Sequence, residues 1–348
     1  MNTNAETADG HAPVRPSMAH ATVAGPGRTT ATHMPVQAPA GRSTATQLPA
    51  APRPSAGRVT TMIPSATTIA FRVDHLVDEI VLDHTALRRT LPDVAAEVLE
   101  MCGRAGGDAS KMERTLTRDP FISAQVVSIA NSAMFSPRMP IIGVRDAVVR
   151  IGLDAVRDVV VMVVANSTMF RVRGFERQVD TFRRRMLASA SAARFLAKAV
   201  RAESEYGFLA GLLHDIGELV LLERCAQEGL ITPEAWDDPM EGNLVRERIH
   251  AHHTAVGSTL CRSWKLPTGV IDAAHFHHDY KSGGKTHLAA HLVAASDVLC
   301  DYVLPNVTPP PTPPTEQPVA LELGLSPAQI QSVVDQAKPV AVGLIGVR

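Results

Sequence analysis

"FLAGLLHDIGELVLLE", residues 208–223, sets an adjacent His214 and Asp215 inside an otherwise apolar stretch. Phe208, Leu209, Leu212, Leu213, Ile216, Leu219 and Val220 recur at spacings of three and four, the period of a helix with one buried face. A helix is expected across the stretch. The polar pair within it reads in two ways: as part of a ligand set for a metal ion, or as a fixture that hydrogen-bonds neighbouring groups and pins helices together.

The flanking sequence also reads as helix after helix. "TFRRRMLASASAARFLAKAV" (181–200) is rich in Ala and Ser, which lets a neighbouring helix approach closely. "RIHAHHTAVGSTLCRSWKLP" stops at Pro267, and "LPTGVIDAAHFHH" starts another helix just after it. Further upstream, Ser110 and Glu113 have the spacing of a capping box, and Asp119 followed by Pro120 marks a second helix start. The β-branched run at 158–164 is ambiguous by period. "LDAVRDVVVMVVANSTMF" is longer than a typical strand and has no interior Gly or Pro, so helix is favoured.

Composition narrows the classes of function. The 348 residues carry Lys+Arg 34 against Asp+Glu 35, a formal charge of -1, so no global basic field draws the chain onto nucleic acid or anionic lipid. The four cysteines, Cys102, Cys225, Cys261 and Cys300, form no C-x-x-C pair and read as isolated reduced thiols. The first residues lack the apolar core of a signal peptide, and the densest apolar run, "VVVMVVA" (159–165), is too short to cross a bilayer. A cytoplasmic protein without a membrane span is expected.

Two stretches bound the folded body. Residues 1–60 are rich in Ala, Pro, Thr, Gly and Ser and are expected to be a disordered tail. "VLPNVTPPPTPPTEQP" (303–318) has too many prolines for a helix and is expected to be an extended linker, 304–318, before a C-terminal helix in 319–348. Ser326, Pro327 and Gln329 supply the start of that helix. Residues 61–84 remain as a lead-in.

The order of several motifs is specific. They are Leu91-Pro92, Asp119-Pro120, "ANSA" (130–133), "RDAVVRIGL" (145–153), "FLAGLLHDIGELVL", "HTAVGSTLCRSWKLP" (253–267), His277-His278 and "AASDVL" around Asp297. Together they resemble the HDOD family, the HD-related output domains of bacterial signalling proteins, over residues 85–303. The resemblance implies an all-α fold in which an N-terminal helical bundle (85–175) packs on a degenerate HD-type helical core (176–303).

In catalytic HD relatives a first His, the His-Asp pair and a distal Asp hold a divalent metal, often manganese, iron or magnesium, and HD-GYP phosphodiesterases recruit further histidines for a second ion. Such ions suit neutral imidazoles and carboxylates, and they lower the pKa of a bound water that attacks phosphorus. The positions that match are His214 and Asp215 for the pair, His253, the double His277 and His278, and Asp297 as the distal Asp. The first ligand is missing. Where related domains often retain "WRHS", this chain has Arg185 in "FRRRMLAS", and a guanidinium has no lone pair to offer a metal. Arg185 is expected to pair with Asp215 where the ion would have sat. No counterpart of the "GYP" element is found.

Other features read as structural. His250 and His252 in "HAHH", and His287 with His291, are expected to be solvated or hydrogen-bonded rather than to form a zinc site, since no carboxylate accompanies them at ligand spacing. Arg171, Arg173, Arg177, Arg183, Arg184 and Arg185, with Phe170, Phe175 and Phe182 among them, read as a solvated basic connection, with nucleic-acid binding the weaker alternative. Asn131 and Ser132 suit a helix end.

The expectation for function is a non-catalytic signalling module that binds a partner protein or a nucleotide and needs no cofactor. The alternative is a metal-dependent phosphohydrolase acting on a cyclic dinucleotide or related phosphoester through a manganese, iron or magnesium ion.

Overall fold

The computed structural model describes residues 66–83, 91–102, 108–135, 137–166, 171–201 and 206–346. Among these residues every regular element is helical and none is a strand, as the all-α expectation has it. The tail expected over 1–60, and Phe170, lie outside the described residues.

Within the lead-in, α1 (Ala66–Leu82) forms an amphipathic helix that buries Ile69, Val73, Leu76, Val77 and Ile80. The N-terminal bundle follows as α2 (Asp93–Cys102), α3 (Ala109–Leu116), α4 (Pro120–Ala130), α5 (Val144–Ile151) and α6 (Leu153–Asn166). The start of α4 is the expected one: Pro120 opens the helix and the Asp119 carboxylate accepts from the backbone N–H of Phe121 and Ile122.

The start of α3 differs from expectation. Asp108, not Ser110, is the cap, and its carboxylate accepts from Ser110 N at 2.8 Å. The extended backbone of Asp108 aims its side chain at the free amides of the first turn, which already contains Ser110. Asn131 does act as a helix end: its amide exchanges two 2.8 Å hydrogen bonds with the backbone of Ile141. In α6 all of Val156 to Ala165 is buried, including an Arg157–Asp158 ion pair at 2.8 Å. A helix buried all round has no polar face to reveal its period, which is why 158–164 is ambiguous by pattern.

The core comprises α7 (Glu176–Ala199), α8 (Gly207–Leu213), α9 (Ile216–Gln227), α10 (Pro233–Trp236), α11 (Glu241–Ser263), α12 (Thr268–Phe276) and α13 (Leu288–Val303). The small side chains of Ala188 to Ala193 are buried in α7, where α8 and α13 pack against it. Beyond a single 3-10 turn at Pro314–Glu316 come α14 (Pro318–Leu321) and α15 (Pro327–Gly346). The expected capping box is present, with Gln329 accepting from Ser326 N at 2.9 Å. The helix then buries Ile330, Val333 and Ala337 against Leu196, Leu292 and Leu299 of α7 and α13.

The stretch expected to be one helix is two. The chain turns at His214 and Asp215, between α8 and α9, and each half meets a different neighbour: α8 lies on α7, and α9 lies on α11. The second approach is very close. A Cβ at Gly217 would lie 2.0 Å from the carbonyl oxygen of His253, so only glycine fits there.

Candidate metal centre

The break between α8 and α9 places His214 and Asp215 at the middle of the core, where α7, α11, α12 and α13 converge. Asp215 is the hub. Its Oδ2 is 3.0 Å from His214 Nε2, and its Oδ1 is 3.3 Å from both His253 Nε2 and His277 Nε2. His253 Nε2 is also 3.2 Å from His277 Nε2 and 3.3 Å from His278 Nε2. Asp297 Oδ1 approaches His214 Nε2 at 3.8 Å. The residues singled out in the sequence are thus brought together.

The far side of each ring fixes which nitrogen carries the proton. The Nδ1 of His214 lies 2.9 Å from the carbonyl oxygen of Gly211, that of His253 lies 2.5 Å from His250 O, and that of His277 lies 3.1 Å from Ala273 O. A carbonyl only accepts, so each Nδ1 donates and each neutral ring turns an Nε2 lone pair inward. Three lone pairs and two carboxylates then face one another with no donor among them. Such a set requires either an extra proton or a cation.

The proton has a place to go. Burial opposes a charge on His214, but Asp215 and Asp297 outweigh it and hold the imidazole pKa well above its usual value. Asp215 answers in kind: desolvation pushes its carboxyl up, and the charge of His214 beside it holds it well below the usual range. Burial keeps His277 and His278 neutral, the latter pushed down to about 4 with help from the neighbouring histidines.

The fit to a divalent ion differs between the two sides. Asp215, His253 and His277 stand 3.2 to 3.3 Å from one another, which resembles one face of a ligand tetrahedron, and His278 Nε2 lies 3.3 Å from His253 Nε2 beside it. Four donors about 2.1 Å from a shared centre stand about 3.4 Å apart. These residues would hold one zinc, manganese or iron ion, which supplies Lewis acidity and a water of lowered pKa when bound.

On the other side His214, Asp215 and His277 also bring their ligand atoms within 4.8 Å of one another, but a cation stands against Asp297 there. Arg185 Nη2 lies 3.2 Å from Asp297 Oδ1, and Arg185 Nη1 lies 2.6 Å from Asp301 Oδ1. Here the structure corrects the expected pairing. The guanidinium reaches α13 and not Asp215, because Asp297 and Asp301 stand one turn apart on that helix and offer two carboxylates, while Asp215 is occupied by imidazoles.

Glu218, Asp301 and Asp74 escaped the reading of the sequence. Glu218 Oε1 lies 3.3 Å from His250 Nδ1 and raises its pKa, and Asp74 of α1 lies 2.9 Å from His252 Nε2. His250 and His252 are therefore hydrogen-bonded, although carboxylates from distant segments accompany them. The ligand atoms of His250, His253 and His278 also lie within 4.8 Å of one another. His287 stacks on Phe276, and His291 Nε2 donates to Val319 O at 2.9 Å. The arginine run is dispersed: Arg177 pairs with Asp237, Arg184 with Asp180, and Phe175 is buried against Trp236. Among the described residues no helix is long and apolar enough to cross a membrane.

Known proteins share this architecture. A candidate metal-dependent phosphohydrolase from Shewanella amazonensis superposes with a TM-score of 0.58 at 20% identity, over 80% of this chain and 99% of that one. An HDOD domain protein of unknown function from Geobacter sulfurreducens gives 0.57 at 21% identity, over 81% and 97%. A candidate signal transduction protein from Marinobacter aquaeolei gives 0.57 at 19%, over 81% and 68%. At these identities the likeness establishes the fold.

An uncharacterized protein from Treponema pallidum is 23% identical over 201 residues, and the match spans 54% of this chain and 37% of that protein. The model of the HDOD domain matches residues 89–280, more than half of the sequence, and covers the helices that carry His214, Asp215, His253 and His277. The chain belongs to the HDOD domain family.

Proposed function

We propose that this chain is a non-catalytic signalling module, acting through a partner protein or a nucleotide. The observation that carries the reading is the guanidinium of Arg185 on Asp297 at 3.2 Å. A permanent cation stands where the first metal ligand of a catalytic HD site would be, and it neutralises the distal carboxylate. His214, protonated between Asp215 and Asp297, then serves as a buried polar pin joining α8, α9 and α13.

The second reading, a metal-dependent phosphohydrolase, is favoured by the cluster of His253, His277, His278 and Asp215. Elemental analysis of the purified chain, refilled with manganese or iron, separates the two. The signalling reading expects no more than one ion per chain, retained in His214→Ala and lost in His253→Ala. Two ions per chain, or an ion lost in His214→Ala, would overturn it in favour of an assembled HD centre.

A further inference from the structure

A cavity of about 840 Å³ opens between α4, α6 and the segment leading into α7, and none of its lining residues belongs to the histidine cluster. Its volume falls within the range of small-molecule sites. Ile122, Val163, Val164, Val172 and Val179 give it an apolar wall, and Phe121 stands beside it with 55% of its surface exposed. Into the same space face Arg171, Arg173 and Arg183.

The cavity has a positive balance. Its two acids are engaged with backbone amides: Asp119 accepts from Phe121 N and Ile122 N, and Glu176 accepts from Gly174 N at 3.0 Å. Burial and the neighbouring charge of Arg171 together depress the pKa of Arg183. Asp180, which opposes that shift, is shared with Arg184 Nε at 2.7 Å.

The arginines stand on a braced turn. Phe175 N donates to Val172 O at 2.9 Å, Gly174 has φ +85°, and a Cβ at Gly174 would lie 2.5 Å from Pro233 Cγ. Only glycine satisfies both the left-handed backbone and the contact with Pro233. The backbone that carries Arg171 and Arg173 is thus fixed beside the apolar wall, and both side chains are exposed.

We propose that this cavity binds a nucleoside phosphate: guanidinia grip the phosphate groups, and the base lies on Phe121 and the valine wall. Planar guanidinium forks suit phosphate oxygens, and three of them suit a group with more than one negative charge. A flat base uses the apolar wall, which inorganic phosphate leaves empty. A nucleic-acid strand is disfavoured because, among the described residues, Arg177, Arg184 and Arg185 turn away to Asp237, Asp180 and Asp301 and do not extend a basic track from the cavity. The proposal deepens the signalling reading by naming its ligand.

The test uses the full chain with methylanthraniloyl-ATP and methylanthraniloyl-GTP, read by fluorescence anisotropy in EDTA at low salt. Saturable binding is expected at about 10–100 µM. Arg171→Ala/Arg173→Ala is expected to weaken it by about tenfold or more, and Phe121→Ala by about threefold or more. Both sites are exposed, so the variants should keep the helical circular dichroism of the wild type. His253→Ala should bind as the wild type does.

Absence of saturation at about 1 mM, or wild-type affinity in the double arginine variant, overturns the assignment. So does pyrophosphate competing as well as ATP, which indicates an inorganic anion site, or a single-stranded oligoribonucleotide binding about tenfold tighter than either nucleotide. Any of these leaves the signalling reading with a protein partner. Phosphoester turnover at the histidine cluster removes the signalling reading and leaves the cavity to be judged by its own variants.

Discussion

Arg185 Nη2 lies 3.2 Å from Asp297 Oδ1, so the two residues that the resemblance sets at the first-ligand and distal-carboxylate positions of an HD-type centre are joined to each other by an ion pair. With Asp301 Oδ1 at 2.6 Å from Nη1, the guanidinium ties α7 to α13. Removing it in Arg185→Ala leaves two carboxylates one turn apart without their counter-charge. Because the side chain is 37% exposed, the expected loss of stability is modest, about 1–2 kcal/mol in urea denaturation. An unchanged midpoint would show the pair to be idle.

Arg185→His replaces the cation with an imidazole at the head of the same centre. The expected outcome is one further manganese or iron ion per chain over the wild type, measured by elemental analysis after refilling. No gain would mean that Arg185 is not what keeps an ion from the His214 and Asp297 side.

Gly217→Ala tests how the helix break is held. The added methyl group would lie 2.0 Å from His253 O and 2.8 Å from Gly257 N, so α9 and α11 must part. A loss of about 3 kcal/mol is expected, together with weaker ion binding, since His253 moves with α11. A variant of wild-type stability would show that α11 is free to shift.

Much of this was legible before any coordinates. Helix caps such as Asp119-Pro120 and Ser326-x-x-Gln329 act locally and are found where sequence places them. His214, Asp215, His253, His277, His278 and Asp297 were traceable because the order of motifs preserves them. The break at His214 was not, because the apolar period continues across it and only the packing of α8 and α9 on different partners divides the helix. Asp74 and Glu218 were hidden because their partnership with His252 and His250 is made in space. Asp301 had a local signal, its position four residues after Asp297, which places both on one helix face.

The cluster should make the metal-free chain sensitive to acid. His278 has its pKa pushed down to about 4 in the folded chain and titrates near 6.5 when unfolded, so below that value the unfolded state binds more protons. The stability that neutral His278 contributes is present above about pH 6.5 and is lost as pH falls towards about 4. His214, raised in the folded state, is already charged in both states below 6.5 and adds no slope there. Urea midpoints in EDTA should fall over this window, and less steeply in His278→Gln. Equal slopes would remove His278 as the cause.

Thiol chemistry gives an independent check of the core. Cys225, Cys261 and Cys300 are buried, and burial pushes each thiol up to about 12, while Cys102 is pushed to about 11. At pH 8 these cysteines are almost wholly protonated and unreactive. Ellman's reagent should register little colour from the native chain and all four thiols in denaturant. Rapid native reaction of more than one thiol would contradict the packing of α9, α11 and α13.

The most direct measurement is turnover of bis(p-nitrophenyl) phosphate and cyclic dinucleotides by the full chain in manganese or iron, with His214→Ala and Asp215→Asn beside it. A non-catalytic module with Arg185 on Asp297 predicts hydrolysis no faster than the metal-containing buffer, and no difference between the wild type and either variant. Hydrolysis well above that background, abolished in both variants, would contradict it.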